Sequence, residues 1–163
     1  MSRQKIGSQR VRAGLIAGCL FAIVAGPVSA ASTGRDILTV RSTRSVTATV
    51  ARLKQLIQKN HLQLLAVVNH SGAAQKVGLS LRPTELVIFG NPLLGTKMME
   101  INQTAGLDLP LKVLVWQNAQ GQTFLGYNSP TYLAHRYGIA PSSPIIRKMT
   151  AAMKHITTAA AGS

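Results

Sequence analysis

Carboxylates are scarce in this chain: Asp36, Glu85, Glu100 and Asp108 are its only acids, against 18 lysines and arginines. Paired-carboxylate hydrolysis needs two acids facing one cleft, and four scattered acids give it little to work with. Cysteine is scarcer still, because Cys19 stands alone. No disulfide can form within the chain, and thiolate chemistry has a single candidate position. Aromatic residues make up 4% of the sequence, too few for the stacking platforms of single-strand nucleic-acid binders. The basic balance comes without a lysine-rich tail, so nucleic acid is not the expected partner. The nucleophile elbow, the P-loop and the dinucleotide fingerprint are all missing. What remains reads as a binding domain, and no residue is assigned a catalytic role.

Long apolar runs are also lacking. The longest, over 13–25, is shorter than the roughly 20 residues a membrane span needs. It follows Arg3, Lys5, Arg10 and Arg12 and is broken by Gly26 and Pro27 before Val28-Ser29-Ala30. A basic leader, an apolar run and small residues at a cleavage point make a secretory signal peptide over 1–30. The expected location is periplasmic or secreted, with no transmembrane span after cleavage. Ile16-Ala17-Gly18-Cys19 resembles a lipoprotein signal, which would instead leave a lipidated Cys19. After cleavage at Ala30 the chain keeps all four acids and loses four bases, so it stays strongly basic. Such a surface attracts anionic envelope components, or simply keeps the protein soluble.

Past the leader, 31–36 reads as a flexible arm, 37–140 as a single domain, and 141–163 as a C-terminal helix with a frayed tail. Residues 37–41 form a first strand, and Ser45 caps a helix over 46–59 whose Val46, Val50, Leu53 and Ile57 make one stripe. Asn60 is expected to take the left-handed conformation that ends it. Residues 62–68 are apolar on both faces and read as a central strand, after which Ser71 caps a short helix. Residues 85–89 form another strand, and Asn91-Pro92 opens a helix running to about Thr104 and stopped by Gly106. Residues 107–110 are too apolar for a solvent loop and are expected to pack on the core, with Asp108 bonding N–H groups of its own turn. Strands over 111–117 and 123–127 flank a hairpin turn with Gly121 in the left-handed position. Ser129-Pro130 and Ser143-Pro144 open two further helices. With several strands apolar on both faces, the second sheet face needs a cover: the C-terminal helix or another copy of the chain.

IFGNPLLGTKMM, GLDLPLKVLVW and YNSPTYLAHRYGI, in that order and spacing, resemble the family called domain of unknown function 302. The resemblance runs from about Ile37 to Ile139. It implies an α+β fold, an antiparallel sheet of four to five strands backed by helices in a β-α-β(4)-α arrangement, often dimeric and with no established activity. The chain departs from the family pattern at Asn69, Gln117 and Tyr137, which weakens any metal or acid/base role for those positions.

The expected function is the binding of a small ligand or a protein partner, without catalysis, in a pocket between the sheet and the Asn91 helix. His70, Asn91, Trp116 and Tyr127 are placed near it. The alternatives are a haem or other metal site centred on His70, at the end of a buried strand, and a basic envelope-associated protein with no pocket. His61, His135 and His155 show no metal-ligand spacing.

Overall fold

The stripe at spacings of four, three and four produces the first helix, and its packing partner decides the rest. The computed structural model describes residues 36–162; the expected signal peptide over 1–30, with Cys19, and positions 31–35 of the expected arm lie outside them. Five strands, β1 (Ile37–Ser42), β2 (Gln63–Asn69), β3 (Thr84–Gly90), β4 (Leu111–Gln117) and β5 (Thr123–Asn128), form one sheet in the order β1-β5-β4-β3-β2, antiparallel throughout. Among the described residues five α-helices accompany it: α1 (Val46–Lys59), α2 (His70–Lys76), α3 (Pro92–Ile101), α4 (Pro130–Arg136) and α5 (Pro144–Ala161). This is the expected α+β fold, with the short α2 and α3 inserted between successive strands.

Helices α1 and α5 lie on the same sheet face. Val50, Leu53 and Ile57 of α1 and Met153 and Ile156 of α5 share one buried cluster with Val87, Phe89, Val113, Val115, Leu125 and Tyr127. Alternation along each strand sends these residues to one face, because cross-strand partners point the same way. Their neighbours Leu86, Ile88, Leu114, Trp116 and Phe124 take the other face, where they are half-buried and belong to neither buried cluster. A second cluster gathers Met98 of α3, Ala105, Leu133, Ala134, Tyr137, Ile139, Ile146 and Met149.

Several local expectations change. The strand read as central is the edge strand β2, and Leu65 on it is 50% exposed. An apolar run looks the same whether its faces are fully or partly covered. Asn60 does not turn left-handed. Its amide donates to Leu56 O at 2.8 Å, and His61 takes the positive φ of 54°. The cap of α2 is Asn69 rather than Ser71, with Oδ1 accepting from Gly72 N at 2.6 Å. Helix α3 stops at Ile101, because Asn102 turns its side chain to accept from Thr104 N and starts a 3-10 turn, Gln103–Leu107. The tail of α5 does not fray after Thr157. Ala160 and Ala161 are buried, and Ala161 O accepts from Thr43 N at 3.0 Å and Ser42 Oγ at 3.2 Å. Small alanine side chains let the helix end approach the β1–α1 connection, where its last carbonyls find donors. Asp36, assigned to the arm, is also held, its carbonyl accepting from Ser129 N at 2.8 Å. The hairpin forms as expected, with Gly121 at φ 74°.

Candidate functional site

The four residues expected around one pocket do not converge. His70 opens α2 directly after the β2 end that pairs with Glu85, and its side chain is exposed. Asn91 follows the opposite end, where Gly90 pairs with Gln63. Seven residues of extended strand separate those ends, roughly 20 Å. Trp116 lies on the sheet face away from α1 and α5, stacked on Phe124 with centroids 5.7 Å apart. It covers Gly126, where an added Cβ would come within 2.8 Å of the ring. Tyr127 lies on the opposite face, inside the core under the helices. Alternation along the strands thus puts Trp116 and Tyr127 on opposite faces of the sheet. Asn91 alone among the four borders a cavity.

That cavity has a volume of about 290 Å³ and lies where the Gly90 end of the sheet meets α3, the connector after it, and α5. Phe89 and Leu111 come from the sheet, Leu94 and Met99 from α3, and Met153 and Ile156 from α5. Gln63, Asn91 and Thr96 are its only polar side chains, and none of its lining residues is charged. The carbonyl oxygen of the Asn91 side chain is committed to the helix: Oδ1 accepts from Leu93 N at 3.0 Å and Leu94 N at 3.4 Å, capping α3. Three glycines, Gly90, Gly95 and Gly106, line the cavity; a Cβ on Gly106 would meet Met99 Sδ at 3.3 Å and one on Gly90 would meet Pro110 Cβ at 3.5 Å. A Cβ on Gly95 would meet only Leu109 Cδ1, at 3.9 Å, so a larger side chain there projects into open volume. Gly95 was the sequence signal for this site. A glycine inside an apolar helical pattern costs about 1 kcal/mol relative to alanine and calls for a packing reason.

The cavity wall opposite the sheet is the connector between α3 and β4, whose Gly106, Leu109 and Pro110 face inward. The expected packing of 107–110 holds for Leu109, which joins the second cluster, but Leu107 is 76% exposed. Asp108 does not bond its own turn with its side chain. Its Oδ2 accepts from Tyr137 Oη at 2.5 Å and pairs with Arg136 Nε at 3.4 Å. Burial, and then the bond to Asp108, hold the Tyr137 phenol above its ordinary pKa, so it stays a donor at neutral pH. The hydrogen bond from Arg136 to Tyr132 Oη, at 3.0 Å, and then the nearby Asp108 raise the guanidinium's pKa.

A metal role for His70 finds no support in its surroundings. Among the described residues no three His, Cys, Asp or Glu side chains cluster as metal ligands would. The cavity is not the surroundings of a haem held by His70, because His70 does not line it and lies at the other end of β2.

Residues 38–156 match the family described as "Domain of unknown function DUF302". The chain is 36% identical over 137 residues to the "Fluoride-specific ion channel FluC 1" of Brucella suis biovar 1, covering 83% of this chain and 54% of that protein. The protein of the same name from Brucella abortus biovar 1 is also 36% identical over 137 residues, and 51% of it is covered. The chain thus spans about half the length of the curated relatives it matches. Among solved structures it is similar to an uncharacterized conserved DUF302 protein from Bacillus stearothermophilus. That likeness has a TM-score of 0.63 and 22% identity, and covers 78% of this chain and 96% of the other.

Proposed function

This chain belongs to the DUF302 family, and we propose that it is a non-catalytic binding domain whose cavity takes a small, uncharged, apolar ligand. The observation that carries this reading is the lining. About 290 Å³ of space is walled by aliphatic, methionine and phenylalanine side chains without one charge, the environment that favours burial of apolar surface and penalises an unpaired ion. Its volume sits at the lower end of the range for small-molecule pockets. The same lining argues against carrying a fluoride activity over from longer relatives of which the chain spans about half, since the cavity offers no cation to an anion. Among the described residues, no helix is long and apolar enough to cross a membrane.

Three of the lining residues are methionines, which makes the test spectroscopic. In protein labelled at the methionine methyl carbons, titration with naphthalene or decanol should shift Met99, Met149 and Met153 saturably. Met98, which is buried but does not line the cavity, should move least. Gly95→Leu should abolish the response by filling the space. Absence of saturable shifts with both probes would sink the reading.

A second reading concerns the uncovered sheet face. Of the two covers the sequence allows, α5 is already used beside α1, which favours a second copy of the chain packed on Leu86, Ile88, Leu114, Trp116 and Phe124. Sedimentation velocity should find a dimer that Phe124→Lys converts to monomer, and a wild-type monomer at tens of micromolar would end this reading. We also infer export, from the basic leader, apolar run and small-residue cleavage point over 1–30. The mass of the mature protein separates cleavage after Ala30 from lipidation at Cys19.

A further inference from the structure

The segment 102–110 is a weakly buried connector that nevertheless forms one wall of the cavity. Among 103–108 only Ala105 is buried, and Leu107 projects outward. Both of its feet are tied to a single residue at the end of α4. Asn102 Nδ2 donates to Tyr137 O at 3.0 Å, and Tyr137 Oη donates to Asp108 Oδ2 at 2.5 Å. These two contacts bracket the 3-10 turn Gln103–Leu107. The Tyr137 ring is 6% exposed and belongs to the second cluster, so the anchor itself is fixed by packing. Two cations reinforce the Asp108 foot. Arg136 Nε lies 3.4 Å from Oδ2, and Lys112 Nζ donates to the Asp108 carbonyl at 3.2 Å. On its inner side the same connector presents Gly106, Leu109 and Pro110 to the cavity.

We propose that Tyr137 is a positioning residue for the cavity: through its hydroxyl and its carbonyl it clamps both feet of the 102–110 connector and so sets the wall against which the apolar ligand packs. This rests on the reading of the cavity as a binding site. A hydrogen bond to a charged acceptor contributes more than a neutral one, and the connector has little buried surface to replace it. The clamp thus decides whether the wall is preorganised or must be ordered by the ligand at the cost of affinity.

Tyr137→Phe keeps the ring and the carbonyl and removes only the hydroxyl. Its amide exchange at Asp108 and Leu109, whose N–H groups both bond Ala105 O, should accelerate roughly tenfold or more, the loss expected for one hydrogen bond to a charged group. Amides of the β3–β4 ladder should exchange as in the wild type, and naphthalene affinity read at the Met99 methyl should weaken several-fold. Asp108→Ala removes the same bond from the other side and should reproduce the pattern, which guards against a folding defect peculiar to one variant. Unchanged exchange at Asp108 and Leu109 in both variants overturns the clamp. Equal acceleration across the β3–β4 ladder overturns it too, because that is a merely structural loss. If the wild type binds neither naphthalene nor decanol, the ligand reading fails on its own, and the exchange data still decide whether Tyr137 holds the wall.

Discussion

The two ends of the β2–β3 pair carry the same local device and have different fates. At one end Asn69 caps α2, with Oδ1 accepting from Gly72 N at 2.6 Å; at the other Asn91 caps α3, with Oδ1 accepting from Leu93 N at 3.0 Å. Each asparagine closes a strand and starts a helix with a side-chain acceptor. Helix α2 buries no residue, and His70 at its start faces solvent. Helix α3 buries Met98 and presents Leu94, Gly95 and Met99 to an apolar cavity. The chemistry of the cap therefore says nothing about a site. What separates the two ends is whether another element, here α5 and the clamped connector, comes down on the helix the cap begins.

Six substitutions test that comparison, beginning with the largest expected effect. Phe89→Ala, at the cavity end and almost wholly buried, should cost about 3–5 kcal/mol in urea denaturation. Val68→Ala, at the Asn69 end and partly exposed, should cost under about 1 kcal/mol; equal losses would erase the distinction between the ends. Asn91→Ala should cost about 1 kcal/mol and weaken naphthalene binding. Asn69→Ala should leave both nearly unchanged, since α2 can fray without opening the core; a matching loss of global stability would mean α2 is integral after all. Gly95→Ala should raise the melting free energy by roughly 0.5–1 kcal/mol, because its Cβ meets only ordinary contact with Leu109. A destabilised Gly95→Ala protein would show that the glycine is needed for close approach rather than for open space. The smallest effect belongs to His70→Ala, within about 0.5 kcal/mol of wild type and without influence on the methionine shifts. A His70→Ala protein that lost ligand binding would return the site to the other end of the strand.

Much of the fold was legible in the chain because its signals are local. The α1 stripe, the Ser129-Pro130 and Ser143-Pro144 starts and the Gly121 turn each depend on a few neighbouring residues, and each is found where expected. The errors share a different origin. Leu65, Val67 and Val68 read as central strand because apolar alternation does not report which strands lie alongside. The α5 tail read as frayed because the donors that hold Ala161 come from Ser42 and Thr43. Asp108 was assigned to its own turn, whereas its partners lie 28 and 29 positions further on, at Arg136 and Tyr137. The candidate site suffered most, since Trp116 and Tyr127 are close in the sheet yet face opposite ways.

The sequence by itself determined the α+β class, the placing of nearly every helix start, and the scarcity of acids and cysteine that steers the reading toward binding. These follow from backbone geometry and composition, which act over a few residues or over none. Only the tertiary structure decided that α1 and α5 share one face, that β2 is an edge, and that the glycines of α3 and its connector open onto one cavity. Those outcomes depend on which apolar surfaces meet across long loops, and burial is a property of the pair of surfaces rather than of either stretch alone.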